Sequence, residues 1–246
     1  MSLYAPYKAV GVVTDGNPFV VNHLGEETFL TTSIGSCFQV YRFDKLTVCL
    51  VGRETPGGEA ITSLEATGHE TFAAVKNNVV VYNRTRIVRT YENLHDANIT
   101  GMCMVGHTLL TYDNDNKVRV IDTKARKVVS EIETIQGDAN ITAVAHPATY
   151  LNKFLFGYSG GQLELWNVRK QKLVYTFQSH LAYLKDQAER DATDEQDFFS
   201  TDNSKTLRNS TPAVTCIEQS PAVDVVGVRT QGCVSIPLYS CIPLLP

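Results

Sequence analysis

Long apolar runs are missing from this 246-residue chain, and no stretch reaches the roughly 18 residues that a membrane-spanning helix needs. Its first residues, MSLYAPYKAVGVV, carry one Lys and no sustained apolar segment, so they do not read as a secretory leader. The six cysteines (37, 49, 103, 216, 233, 241) never form a CxxC pair or another short metal-ligand spacing. That pattern points to free thiols in a reducing, intracellular setting. Excess positive charge is also missing, with 22 Lys and Arg against 26 Asp and Glu. With a net charge of −4 a basic nucleic-acid groove is not the default expectation, local patches aside.

Catalytic signatures are absent as well. The chain has no P-loop, no GxGxxG after a strand, no GxSxG elbow and no HExxH. Its histidines are scattered one per repeat or loop, as structural positions are. Asp113-Asn114-Asp115-Asn116 is a turn composition, without the later Gly and bidentate Glu of a calcium loop. These absences predict a protein that is no enzyme and has no metal, cofactor or small-molecule substrate. A 3.6-residue apolar period is almost nowhere to be found, which leaves an all-β chain.

Within that chain, Ile141–Phe177 reads as four consecutive strands. Ile141–Ala145 is short and alternating, and Lys153–Tyr158 is densely apolar. Ser159-Gly160-Gly161 supplies the positive-φ residues of a hairpin. Gln162–Val168 alternates strictly, placing Glu164, Trp166 and Val168 on one face. A polar turn at Arg169-Lys170-Gln171 leads to an outer strand, Leu173–Phe177. Asp96-Ala97-Asn98-Ile99-Thr100 recurs letter for letter at Asp138–Thr142, 42 residues later. Tyr41, Tyr82, Ile121 and Trp166 mark third strands at spacings of 41, 39 and 45. Two marker series with one period near 40 residues match WD40 repeats, and Trp166-Asn167 stands at the Trp-Asp position.

The period lays out one incomplete WD40-type β-propeller over 1–246, an open arc of about four and a half blades. The blades fall near 19–51, 61–91, 99–132, 141–177 and 214–236, after a lone strand at Tyr7–Val13. Gly35, Asn77-Asn78 and Asp113–Asn116 mark tight turns. Residues 178–211 form an acidic insertion with seven acidic and four basic residues. It reads as a solvated loop, with docking or phosphorylation at Ser200 and Thr201 as the functional alternative. In blade five, Cys233–Ile236 is the expected third strand. The proline-bearing tail, 229–246, is atypical, because each Pro removes a ladder donor. An arc left open would expose a sticky edge and require a partner.

The candidate site residues are of two kinds. His95, Trp166, Asn167, Gly160 and Gly161 occupy structural repeat positions. Arg84 and Arg86, Lys124 and Arg126, and Arg169 and Lys170 sit in or beside the turns between third and fourth strands. If those turns line one rim they make a basic patch, with ordinary solvent-exposed charge as the plainer reading.

The segments HPATYLNKFLFGYSGGQLELWNVRKQKLVYTF (146–177), SPAVDVVGV (220–228), APYKAVGVV (5–13) and FLTTSIGSCFQVYRFDKL (29–46) are more specific than a generic repeat. In that combination the chain resembles the U-three small-nucleolar-RNA-associated tandem-propeller family, a UTP-B subunit of the small-subunit processome. The resemblance covers most of residues 3–228 outside the insertion. It implies a nucleolar, non-catalytic scaffold in pre-rRNA processing and small-subunit assembly. It also implies partners among UTP-B proteins and the pre-rRNA/snoRNP particle. Family members are several times longer, so the chain reads as a truncated N-terminal portion. Alternatives are an adaptor in another complex, such as a ubiquitin-ligase substrate receptor, or an inert short isoform.

Overall fold

The computed structural model describes residues 12–134, 139–147, 152–177, 213–219, 225–230 and 240–243. The chain divides into two compact units, Met1–Thr134 and Ile135–Pro246. Unit one holds three antiparallel four-stranded sheets, each a meander in chain order. Sheet one is β1 (Val20–Leu24), β2 (Glu27–Ile34), β3 (Cys37–Arg42) and β4 (Thr47–Val51). Sheet two is β5 (Ser63–Thr67), β6 (Glu70–Val75), β7 (Asn78–Asn83) and β8 (Arg86–Tyr91). Sheet three is β9 (Ile99–Val105), β10 (Thr108–Asp113), β11 (Lys117–Asp122) and β12 (Lys127–Glu133).

Unit two repeats the plan. Sheet four is β13 (Ile141–Ala145), β14 (Lys153–Tyr158), β15 (Leu163–Asn167) and β16 (Lys172–Phe177). Sheet five comprises β17 (Val214–Gln219), β18 (Val225–Thr230) and β19 (Ser240–Pro243). A 3-10 turn at Pro56–Gly58 is the sole helical element among the described residues. Within each unit the inner strand of one sheet packs on the inner strand of the next: β1 on β5, β5 on β9, and β13 on β17. Four-stranded meanders stacked in this way are propeller blades.

Burial explains why the middle strands are so apolar. In β6 and β7, Phe72, Ala73, Ala74, Val79, Val80 and Val81 are all buried, because each sheet is covered on both faces. Sheets one and two meet around Phe38, Val75 and Tyr82, where the Phe38 and Tyr82 rings pack edge to face at 5.1 Å. Sheets two and three meet around Phe72, Val81, Ile99 and Leu109. In unit two, Leu155, Leu165, Val214 and Ile217 fill the equivalent seam.

The recurrent Ile-Thr pair has a physical cause. Inner strand β9 skips Thr100: Gly101 pairs with Tyr112 and Ile99 with Asp113. The bulged Thr100 donates its hydroxyl to the Tyr112 carbonyl at 3.2 Å. Thr142 is skipped likewise and donates to Gly157 O at 3.1 Å, and Thr215 donates to Arg229 O at 3.2 Å. A β-branched donor suits a bulge because it caps the carbonyl that the ladder leaves over. Outer strands bulge too. Cys49, Val88, Val129 and Val174 are each skipped in the pairing with the third strand, and all four are exposed. Such bulges twist an edge away from pairing with another strand.

Three expectations meet a different structure. The sheet-two turn is Lys76-Asn77 rather than Asn77-Asn78, since Asn78 already pairs with Val75 and the positive φ of 52° falls on Lys76. The third strand of sheet five is Ser240–Pro243, within the atypical tail, whereas Cys233–Ile236 lies outside the described residues. Pro243 stands at the end of that strand, opposite Val225. Val12 and Val13 are not in a strand; residues 7–11 and the insertion 178–211 lie outside the described residues.

Candidate interaction surface

His95 sits just before β9 and is buried. Its Nδ1 lies 2.8 Å from Asp113 Oδ2, and its Nε2 lies 2.8 Å from Thr111 Oγ1. Asp113 Oδ1 in turn accepts the N–H groups of Asp115 (3.0 Å) and Lys117 (2.9 Å), which closes the β10–β11 turn. Burial pushes the His95 imidazole below its ordinary value, against the opposing pull of Asp113. A neutral ring that donates from Nδ1 to the carboxylate and accepts at Nε2 satisfies all three side chains. Hydroxyl, imidazole and carboxylate in line have the connectivity of a nucleophilic triad. Here all three are sealed from solvent, so the line ties β10 to the segment before β9.

Trp166 Nε1 and Tyr158 Oη both donate to Glu164 Oε2, each at 2.7 Å. Glu164 is buried, although the alternation of β15 marks it only as sharing a face with Trp166. Two strong donors on one carboxylate are the reason it tolerates burial. Asn167 Oδ1 accepts the Lys170 N–H at 3.0 Å and closes the β15–β16 turn. Asp122 does the same in sheet three, accepting from Lys124 (2.9 Å) and Ala125 (2.8 Å). Of Gly160 and Gly161, only Gly161 has a positive φ, 77°.

The six basic candidates are all exposed. Among the described residues none of them forms an ion pair. Arg84 and Arg126 hold positive φ values of 54° and 59°; Arg126 stands in the turn position that Leu46 and Gln171 fill in sheets one and four, and Arg84 opens the shorter turn of sheet two. First-to-second and third-to-fourth strand turns share one end of each sheet. The bonds that join them are Phe43 N to Thr28 O (2.9 Å), Arg84 N to His69 O (3.3 Å), and Thr123 N to His107 O (2.9 Å). In unit one this end carries Arg84, Arg86, Lys124 and Arg126, whereas sheet one has Glu26, Asp44 and Lys45 there. Arg169 and Lys170 occupy the corresponding turn of sheet four.

Arg89 is spent on structure. It donates to Glu70 Oε1 at 2.5 Å and to the Thr123 carbonyl at 3.2 Å, lashing sheet two to the turn of sheet three. Between sheets one and two the positions of Glu70 and Arg89 are taken by Phe29 and Leu50, and among the described residues no clamp of that kind closes the outer part of the seam. There a cleft of about 280 Å³ opens, floored by Leu24, Phe29, Val40 and Leu50, with His69 and Arg84 on its sheet-two side. Among the described residues no group of three or more His, Cys, Asp or Glu is placed to hold a metal ion.

Comparison with known proteins gives one consistent answer. The family model for the WDR36/Utp21 first beta-propeller matches residues 30–237. The Schizosaccharomyces pombe U3 small nucleolar RNA-associated protein 21 homolog is 28% identical over 93% of this chain, a match spanning 22% of that protein. Human WD repeat-containing protein 36 is 28% identical over 92% of this chain and 22% of its own length. Saccharomyces cerevisiae U3 small nucleolar RNA-associated protein 21 is 33% identical over 71% and 19%. This chain therefore spans about a fifth of the length of the curated relatives it matches. Among solved structures, Chaetomium thermophilum Raptor superposes with a TM-score of 0.62 at 12% identity, covering 89% of this chain and 19% of Raptor. A chain of the mitotic checkpoint complex gives 0.60 at 15% identity, covering 82% of this chain and 54% of its own. At such identities the likeness is one of fold alone.

Proposed function

Because this chain belongs to the WDR36/Utp21 first β-propeller family, we infer that it is a non-catalytic scaffold subunit in pre-rRNA processing and small-subunit assembly. The observation that carries this reading is the family match over residues 30–237, which spans every sheet in part or whole. Two curated relatives named for U3 small nucleolar RNA association support it. The site chemistry agrees in kind. The Asp-His-Thr line is sealed, and the inner-strand hydroxyls of Thr100, Thr142 and Thr215 are engaged by backbone carbonyls. What remains exposed is suited to contact: basic turns at one end of the sheets, and apolar outer-strand residues such as Val129 and Tyr175.

On this reading the partners are other UTP-B proteins and the pre-rRNA/snoRNP particle, and the protein works in the nucleolus. The test is affinity purification of the endogenous protein, tagged at its N-terminus. Co-recovery of UTP-B proteins with nucleolar staining supports the scaffold role. A tagged product that purifies without them overturns it.

A further inference from the structure

We propose that the cleft between sheets one and two is a docking site for an acidic peptide segment of a partner protein, which inserts one large apolar side chain between the blades. The proposal concerns the geometry of unit one and stands whichever particle the chain enters.

The cleft exists because sheet one breaks a pattern that sheet two keeps. Pairing along the sheets aligns Phe29 with Glu70, Thr31 with Phe72, Val40 with Val81, and Leu50 with Arg89. In sheet two, Phe72 plugs the seam to sheet three, while Glu70 and Arg89 clamp its outer part onto the Thr123 carbonyl. In sheet one the plug is only Thr31, and the clamp is replaced by the apolar pair Phe29 and Leu50. The seam therefore gapes where its sister is closed. At the inner end Asn22 Nδ2 donates to Gly68 O at 2.9 Å and shuts the cleft. Near its outer end lies the exposed bulge residue Cys49.

Size and charge select the occupant. About 280 Å³ falls just below the ~300–1,000 Å³ of small-molecule sites, which suits a single Phe, Leu or Trp side chain better than a cofactor. Phe29, Val40 and Leu50 offer that side chain an apolar floor. Among the residues that line it the uncommitted charge is positive, while the carboxylates Glu26 and Asp44 of the sheet-one turns lie outside the lining. Glu70 is held by Arg89 and Glu27 by Arg42, which leaves Arg84 on the cleft wall and Arg86 two residues beyond it without carboxylate partners among the described residues. A peptide carrying Asp or Glu beside its apolar anchor satisfies both features. A nucleic acid would use the cations and leave the apolar floor empty.

The test uses the full chain and a fluorescein-labelled heptapeptide, one Phe flanked by three Glu on either side, followed by fluorescence anisotropy. An all-Glu heptapeptide and a uridine oligonucleotide serve as comparators. Thr31→Phe, which installs the plug of sheet two, should weaken the Phe peptide about tenfold or more while thermal stability holds. Arg84→Glu should do the same, and Arg169→Glu on sheet four should change binding by less than about twofold. In the wild-type chain, saturating peptide should slow iodoacetamide alkylation of Cys49 and leave exposed Cys216 unaffected. The proposal fails if Thr31→Phe binds as the wild type does, or if Cys49 is not protected. It also fails if the all-Glu peptide or the oligonucleotide binds as tightly as the Phe peptide, for then the cations serve charge or nucleic acid alone.

Discussion

Two seams in unit one share a register and differ in what fills it. Between sheets two and three, a buried Phe72 and the Glu70–Arg89–Thr123 lashing leave little room between the blades. Between sheets one and two, Thr31, Phe29 and Leu50 stand at the same positions and a cleft remains. Both seams are packed elsewhere, around Phe38 and Tyr82 in one and Ile99 and Leu109 in the other. The backbone of a blade is repeated, and three side chains decide whether a seam is closed or receptive.

The largest break in this comparison should come from Phe72→Ala. Removing a fully buried ring should cost about 3–5 kcal/mol in denaturant titration, whereas Thr31→Ala, beside an existing gap, should cost under ~1 kcal/mol. Next is Asp113→Ala. It strips the buried His95 of its partner and the turn of two N–H acceptors, and should cost about 3 kcal/mol by the same measurement. Arg89→Leu turns the closed seam toward the open one by unpairing Glu70 and freeing the Thr123 carbonyl. Because both side chains are part-exposed, the expected loss is only about 1–2 kcal/mol, with faster hydrogen exchange in the turn of sheet three.

A separate effect is a pH dependence centred on Glu65 of β5. Burial raises its carboxyl to about 7, against the lowering pull of the Met104 and Ala66 N–H groups. The folded chain therefore binds a proton that the unfolded chain has lost between its ordinary value of 4.5 and about 7. Stability from this group is present below that window and falls as pH rises through it. Thermal melts from pH 4.5 to 7.5 should decline more steeply for the wild type than for Glu65→Gln. Parallel curves would show that Glu65 keeps an ordinary titration in the fold.

Much of this was legible in the chain because it depends on neighbours in sequence. Turn residues, alternating strands and the recurrent Ile-Thr pair are local, and the hairpins of sheets one to three are closed by pairs a few positions apart. The Trp166-Asn167 pair was recognisable, and the Asn167 cap on Lys170 shows what its second residue does in this blade. Other features were hidden by their distance in sequence. Arg89 bonds to Glu70, 19 positions away, and to Thr123, 34 positions away, so no local pattern announces its structural role. Alternation marked Glu164 only as sharing a face with Trp166 and Val168, whereas both faces of β15 are covered and its donors are Tyr158 and Trp166.

By itself the sequence determined the repeat, the strand-and-turn grammar of each blade, and membership of the WDR36/Utp21 first-propeller family. Tertiary structure alone decided which seam closes. A plug or a clamp acts across the gap between sheets, where Phe72 meets residues of the next blade and Thr31 leaves room. No pattern within one repeat encodes the shape of the space between two of them.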